Sequence, residues 1–337
     1  MSKQISQTTK NKITVVIPTH NRARQLPKTI ELIMNQSVSR DQYTVIVIDN
    51  RSSDATAETV RGLMRRYPNL EYAYQKKPGA APTRNEGIRR ATTPLILFVD
   101  DDILASPTLI QEHLKGHQGQ PCSVLGHIEV GWNTSPDRFL RYLKESEDQN
   151  TFKYLDPQKT SFAYFYTGNV SCRREALLKV GGFDEGFTVY GVEDIDLGYR
   201  LEMYGERMIY CAKASAVHDY NPNYVEFLAK RYNNGRSLAY FLAKFPNLTP
   251  QFTFGKYPLI KLGLPRYLTA WLKPFINRED HLKGGVQPGP LTRFQYLWFS
   301  KALRWQLYKG YRAYRSYWNR SGLRVMPTKS VLLQNTL

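Results

Sequence analysis

The chain is short of cysteine. Its 337 residues include three, Cys122, Cys172 and Cys211, too few and too scattered for a disulfide framework or a zinc knuckle. Each lies near apolar residues, and a packed, reduced thiol is expected. Long apolar runs are missing too. No stretch reaches ~20 uninterrupted apolar residues, so no membrane span is expected. Residues 1–11 are polar, without the form of a secretory signal, and are read as a disordered N-terminus. With the sparse cysteines they point to a reducing cytoplasm. Glycine is absent where a dinucleotide site would need it. After the first apolar run the chain reads PTHNRA rather than G-x-G-x-x-G, and no G-x-x-x-x-G-K-[ST] occurs. A Rossmann dehydrogenase and a P-loop NTPase are thereby excluded.

Acidic residues are scarce in one region only. Residues 222–337 carry 19 basic and 3 acidic side chains, a net of +16, whereas residues 1–221 carry 28 and 26, a net of +2. The same tail holds 22 of the 43 aromatics. The two regions need separate explanations. We read 12–221 as a catalytic domain and 222–337 as a basic, aromatic, mainly helical C-terminal region.

The first region alternates strand and helix patterns. Ile13–Ile17, Thr44–Ile48 and Leu95–Val99 are short, wholly apolar runs, which suit strands buried on both faces of a parallel sheet. Helical spacing covers Arg24–Asn35 and Ala55–Tyr67, the latter after Asp54 as a cap. Pro82–Ala91 opens with proline near the first helical position. The order predicts an α/β fold, a Rossmann-like, mostly parallel sheet flanked by helices. Ligands bind such sheets at the carboxyl ends of the strands.

Four groups of residues lie where chemistry is expected. Asp100, Asp101 and Asp102 follow the third apolar run. Three adjacent carboxylates repel one another, and a hard cation such as Mg2+ or Mn2+ relieves that; a solvated acidic turn is the plain alternative. Glu193 and Asp194 precede Leu197 and Leu201, which are spaced to face a core. They therefore fall in the first turn of a helix, where a carboxylate is favoured and can be aimed as a general base; an ordinary capped helix explains them equally. His218 ends an apolar stretch and is either structural or a neutral nitrogen ligand. Arg22, Lys76, Lys77, Arg84 and Asn85 are either surface groups or, beside a bound cation, a diphosphate clamp.

These residues carry a resemblance. VVIPTHNR, VIVIDNRSSD, RNEGIRRA, LILFVDDD and GGFDEGF…YGVEDIDLGYRL, in that order over about residues 12–220, resemble the family 2 glycosyltransferases of the GT-A type. The resemblance implies a nucleotide-sugar donor, a divalent metal (Mn2+ or Mg2+) and inversion at the anomeric carbon. It implies that Asp100, Asp101 and Asp102 form the D-x-D element, Asp102 being the direct metal ligand and Asp100 nearer the ribose. His218 is similar to a histidine that completes metal coordination in some members. Asp194 matches the general base, and Glu193 would orient the acceptor or the loop. Pro18, Thr19 and Arg22 match the first nucleotide-contacting loop, and Arg84 the diphosphate side. One departure stands out: the second strand ends in Asp49-Asn50 where members often have two acids. Asn50 can meet a base N–H through its amide oxygen or another base through its NH2, so the donor base stays open. The implied acceptor is a saccharide or lipid-linked saccharide, in cell-surface polysaccharide or glycolipid synthesis. Aromatics in 131–170, among them Trp132, Phe152, Tyr154, Phe162, Tyr164, Phe165 and Tyr166, either meet it or pack beneath a long loop. A non-catalytic sugar-binding relative and a basic-tail polyanion binder are the alternatives.

In the tail, Tyr296, Phe299, Leu303, Leu307, Tyr311, Tyr314 and Trp318 recur at a mean step of about 3.7, close to the ~3.6 of a helix. Lys301, Lys309, Arg312 and Arg315 fall opposite. The stripe either packs on other helices or faces an anionic membrane surface. Tyr257–Ile276 is apolar but interrupted by prolines, an interfacial segment at most. A nucleic-acid partner is disfavoured, since no recognised module is present.

Overall fold

The computed structural model describes residues 12–119, 121–131, 138–146, 152, 155, 160–253 and 293–321. These fall into two compact units. One is drawn from within Met1–Glu129, Asp156–Glu185 and Leu197–His218, the other from within Val130–Leu155, Gly186–Asp196 and Asp219–Leu337. Neither unit is a single stretch of chain. Residues 1–11 and 257–276, and Trp132 and Tyr154, lie outside the described residues.

The first unit is built on eight strands. β1 (Ile13–Thr19), β2 (Tyr43–Asp49), β3 (Leu70–Tyr74) and β4 (Leu95–Val99) run parallel. β5 (Ile103–Ala105), β6 (Cys122–Val130), β7 (Asn169–Arg173) and β8 (Arg207–His218) complete a sheet ordered β3-β2-β1-β4-β7-β6-β8-β5. β7 is antiparallel to both β4 and β6, and β5 to β8. The three apolar runs form β1, β2 and β4. Val15, Ile17, Val45, Val47, Leu97 and Val99 are wholly buried, as strands covered on both faces should be.

Helices α1 (Leu26–Met34), α2 (Thr56–Met64), α3 (Ala80–Arg90), α4 (Leu109–Gly116) and α6 (Arg174–Lys179) belong to this unit, α5 lying in the other. Two starts differ from expectation. Asp54 stands one residue ahead of the α2 cap, and its Oδ1 accepts from Thr56 N at 3.0 Å. α3 opens at Ala80, so Pro82 is its third residue; its missing N–H is still among the four that no helix pairs.

Polar groups interrupt β7 and are satisfied inside. Asn169 Nδ2 donates to Ala214 O and His127 O, so its Oδ1 accepts from His113 Nε2 at 2.8 Å. His113 Nδ1 then receives the Ser171 hydroxyl at 2.8 Å, and His117 Nε2 donates to Ser171 Oγ at 2.7 Å. Burial pushes both histidines down to about 4, with His113 and Arg173 further disfavouring charge on His117, so both are neutral rings.

The second unit is helical. It holds α5 (Arg138–Glu145), the start of α7 (Glu193–Met203), α8 (Tyr224–Lys244), α9 (Thr249–Thr253) and α10 (Arg293–Ser321). Phe139, Tyr142, Leu143, Tyr224, Phe227, Phe299 and Leu303 form its core. Tail residues Phe299, Leu303 and Leu307 are thus buried: the middle of the aromatic stripe packs on helices and is not a free apolar face. α8 and α10 meet backbone to backbone. A Cβ on Gly235 would lie 1.9 Å from Leu307 O, and one on Gly310 would lie 1.8 Å from Tyr232 O. Only glycine permits that approach.

Candidate active site

The three consecutive acids leave β4 and separate, each to a different partner. Asp100 Oδ1 accepts from Arg84 Nη2 at 2.9 Å. Arg84 comes from α3 and is 2% exposed, its guanidinium 5.7 Å from the centre of the Phe183 ring. Asp101 Oδ2 accepts from Thr19 Oγ1 at 2.7 Å, and Arg22 Nε stands 3.5 Å from its Oδ1. Burial, seconded by the Asp102 charge, still pushes the Asp101 carboxyl up to about 7, against the pull of Thr19 and Arg22. Asp102 Oδ1 lies 3.1 Å from His218 Nε2.

The sheet register explains the last pair. β5 runs against β8 with Ile103 opposite His218. Asp102, the residue before Ile103, is thereby delivered to the ring. Arg84 meets the charge of Asp100, whereas Thr19 and Arg22 only partly offset burial and the Asp102 charge at Asp101. Asp102 is the member with an imidazole at its side.

That pair suits a divalent cation. A carboxylate oxygen and a ring nitrogen are both ligand atoms for Mn2+, the oxygen for Mg2+ as well. Two neighbouring ligands on an octahedral ion with bonds of about 2.1 Å lie about 3 Å apart, close to the observed separation. Among the described residues no group of three or more His, Cys, Asp or Glu is arranged to hold a metal. Asp102 and His218 would thus be two protein ligands, with the remaining positions open to phosphate oxygen.

The loops after β1 and β2 face one another. Asn50 N donates to Thr19 O at 2.8 Å, Asn21 N to Ser52 Oγ at 2.8 Å, and Arg22 N to Thr56 Oγ1 at 2.9 Å. Pro18 is half-buried beside Ile48 at the end of the β1–β2 ladder. Asp49 is buried, its Oδ1 accepting from Ser52 N at 2.8 Å and its Oδ2 from the Tyr72 hydroxyl at 2.7 Å. Burial and the Asp49 carboxylate push the Tyr72 hydroxyl up to about 12. Asn50 uses both ends of its amide on the next loop: Nδ2 donates to Lys77 O at 2.8 Å, and Oδ1 accepts from Gly79 N at 3.0 Å. These bonds tie Asn50 to the start of α3 and use one donor and one acceptor position of an amide that has two of each.

Lys77 and Asn85, of the expected basic and amide set, are likewise engaged. Lys77 Nζ pairs with Glu185. Asn85 Nδ2 donates to Phe183 O and Glu185 Oε1, both at 2.9 Å, while its Oδ1 accepts from Phe183 N at 2.8 Å. Asn85 is a staple for the GGFDEG loop. Phe162 and Phe165 are buried, Phe162 4.9 Å from the Tyr199 ring and Phe165 against Gly198. These two pack beneath their segment; Tyr164 and Tyr166 are half-buried.

In the second unit, Glu193 and Asp194 open α7 as the leucine spacing required, with Leu197 and Leu201 buried. Glu193 is buried, and its Oε2 accepts from Gly191 N at 2.7 Å. Asp194 is half-buried, and its Oδ1 accepts from Ile195 N at 2.8 Å. Val192, just ahead, has φ 71°, a conformation that a β-branched residue adopts only under constraint. Asp196 and Lys244, which the sequence did not single out, form a buried ion pair. Their 48-residue separation leaves no pattern to read.

The model of glycosyl transferase family 2 matches residues 14–181, and that of the N-terminal domain of galactosyltransferase matches residues 150–224. The validoxylamine A glucosyltransferase of Streptomyces hygroscopicus is 32% identical over 219 residues, covering 57% of this chain and 52% of that protein. The chain thus spans about half the length of that relative. Among solved structures, the mannosyltransferase PcManGT of Pyrobaculum calidifontis, in complex with GDP-Man and Mn2+, is 19% identical. Its TM-score is 0.63, with 93% of this chain and 89% of that one covered. Staphylococcus aureus TarS 1–349 in complex with UDP-GlcNAc is 15% identical, with a TM-score of 0.53 and coverage of 90% and 92%. The α/β fold is that of GT-A glycosyltransferase structures, and the chain belongs to glycosyl transferase family 2.

Proposed function

We propose that this protein is an inverting glycosyltransferase that moves a sugar from a nucleoside-diphosphate sugar to a hydroxyl of a saccharide or lipid-linked saccharide, in cell-surface polysaccharide or glycolipid synthesis. The observation that carries the reading is the division of the three acids at the end of β4. Asp100 and Asp101 are held by Arg84, Thr19 and Arg22, and Asp102 by His218. They lie at the carboxyl end of a parallel strand, where such sheets bind ligands. The family match supports the reading, as do the nucleotide sugars bound by PcManGT and TarS and the Mn2+ bound by PcManGT.

Asp102 and His218 would hold the divalent cation, Mn2+ or Mg2+, which when bound offsets negative charge on the departing diphosphate. Pro18, Thr19, Arg22, Asp49 and Asn50 would line the nucleotide side, with Arg84 fixing Asp100 there. Asp194 would take the proton of the acceptor hydroxyl as its oxygen bonds to the anomeric carbon from the face opposite the diphosphate. The bond from that carbon to the diphosphate oxygen breaks with its electron pair leaving on the nucleoside diphosphate. One displacement inverts the centre, and no protein nucleophile is needed. Glu193 would hold the loop before Asp194 through Gly191 N.

We take 12–221 as the catalytic region and 222–337 as the basic region. No described helix is long and apolar enough to cross a membrane. With the middle of the α10 stripe buried, a contact with an anionic cytoplasmic membrane face would rest on exposed Lys309, Arg312 and Arg315 and be electrostatic.

The test is a panel of UDP, GDP and dTDP sugars, with Mn2+ and with Mg2+, read by nucleotide release and by the anomeric configuration of the product. Metal-dependent release with an inverted product is expected. A retained configuration would remove the single displacement, and silence across the panel would favour a non-catalytic sugar-binding protein.

A further inference from the structure

The segment that carries Glu193 and Asp194 is fastened to α8 at successive points. The Phe187 and Tyr240 rings meet edge to face at 4.8 Å. Ser237 Oγ donates to Val189 O at 3.0 Å. Lys230 Nζ lies 5.3 Å from the Tyr190 ring centre. Gly191, at φ 113°, lies so close to Asn234 that a Cβ would stand 2.2 Å from its Oδ1. The last point is Lys244, on the final turn of α8, whose Nζ pairs with Asp196 Oδ1.

That pair differs from the others. Both side chains are wholly buried. The ammonium also sits 5.5, 5.7 and 5.3 Å from the ring centres of Phe187, Tyr240 and Phe245. Burying two opposite charges gains little stability over an apolar pair of the same volume, because desolvation consumes the attraction. It does gain geometry, since a buried ammonium must meet its carboxylate in a narrow range of positions. Asp196 lies in the first turn of α7, two residues after Asp194, and its backbone N donates to Val192 O at 2.9 Å. Val192 is the constrained residue. A strained backbone persists only where its surroundings over-determine it, and α8 supplies that surrounding.

We propose that Lys244 is a positioning residue for Asp194, fixing the first turn of α7 through Asp196 so that the Asp194 carboxylate holds one direction. The inference rests on the reading of Asp194 as the base. It gives the basic C-terminal region a part in the chemistry: α8 lies in residues 222–337, and the turn it holds lies in 12–221.

The test uses the full chain. Lys244→Met alone strands a buried carboxylate and unfolds readily, so the double variant Lys244→Met/Asp196→Leu carries the experiment. An apolar pair restores folding without restoring the directional contact. The expected result is a melting temperature near that of the parent, a donor KM within about twofold, and kcat lowered ~10–100-fold, in line with the ~10²-fold cost of a small misplacement. A purely structural pair would show no such split once folding is restored. A folded double variant with parental kcat overturns the proposal. Asp194→Asn is run beside it. If that variant is inactive while the double variant is normal, only the positioning role falls. If Asp194→Asn transfers sugar at the parental rate, the base assignment falls and takes this inference with it.

Discussion

His218 Nε2 stands 3.1 Å from Asp102 Oδ1, and the antiparallel register of β5 on β8 puts it there. A nitrogen donor beside a carboxylate favours Mn2+ over Mg2+, since imidazole is the softer ligand and Mg2+ prefers oxygen alone. Asp102→Ala should abolish the metal-dependent part of donor affinity. His218→Ala should narrow the gap between Mn2+ and Mg2+ while weakening Mn2+ binding by ~10-fold or more. Calorimetric titration of donor with each ion, and with none, reads both.

Asp194→Asn keeps the shape of the first turn of α7 and removes the proposed base. Turnover should fall by ~10²–10⁴ with donor affinity unchanged. Steady-state rates beside donor titrations separate the two quantities.

Arg84 is almost wholly buried against Phe183 and bonds Asp100. Arg84→Met should therefore cost stability, about 3 kcal/mol for breaking a buried pair, measured as a shift in the denaturant midpoint. A variant of parental stability with weakened donor binding would instead make Arg84 a direct diphosphate ligand.

His113 is neutral in the folded protein, pushed down to about 4 from its ordinary 6.5 by burial. The unfolded chain therefore binds more protons between those values, and stability falls as pH drops from about 6.5 towards 4. Above 6.5 the contribution is complete. A shift of this size corresponds to about 3 kcal/mol. Melting temperatures across that range should decline, and His113→Gln should flatten the slope.

Gly310→Ala places a methyl group against Tyr232 O. With a carbonyl rather than a flexible side chain in the way, α8 and α10 must part. A loss of about 3 kcal/mol, the upper end for overpacking, is expected by thermal unfolding.

The parts of the fold legible in the sequence were those with uniform burial. β1, β2 and β4 are apolar throughout because both faces are covered. β3 was not read, because Glu71 and Tyr74 are exposed on so short a strand. β7 is not legible in the sequence, because Asn169 and Ser171 interrupt the apolar pattern and are satisfied by His113 and His117, more than fifty residues away. The acids at the site were legible as a run, but their partners were not. Arg84 reaches Asp100 from helix α3, and His218 reaches Asp102 through the register of β5 on β8. Asn50 shows the limit most clearly: its amide suits a nucleobase as well as a loop, and only the geometry displays the bonds to Lys77 and Gly79.

The Lys244–Asp196 pair also changes how the charge of the chain should be counted. A cation of the basic region takes its counter-ion from the near-neutral one. Among the described residues of 222–337, Lys244 is an interior charge already matched, whereas Lys309, Arg312 and Arg315 are exposed. The two respond differently to ionic strength, because only the solvent-facing charges are screened over a Debye length of ~8 Å at physiological salt. Salt should loosen whatever polyanionic surface the exposed bases hold while leaving the start of α7 in place.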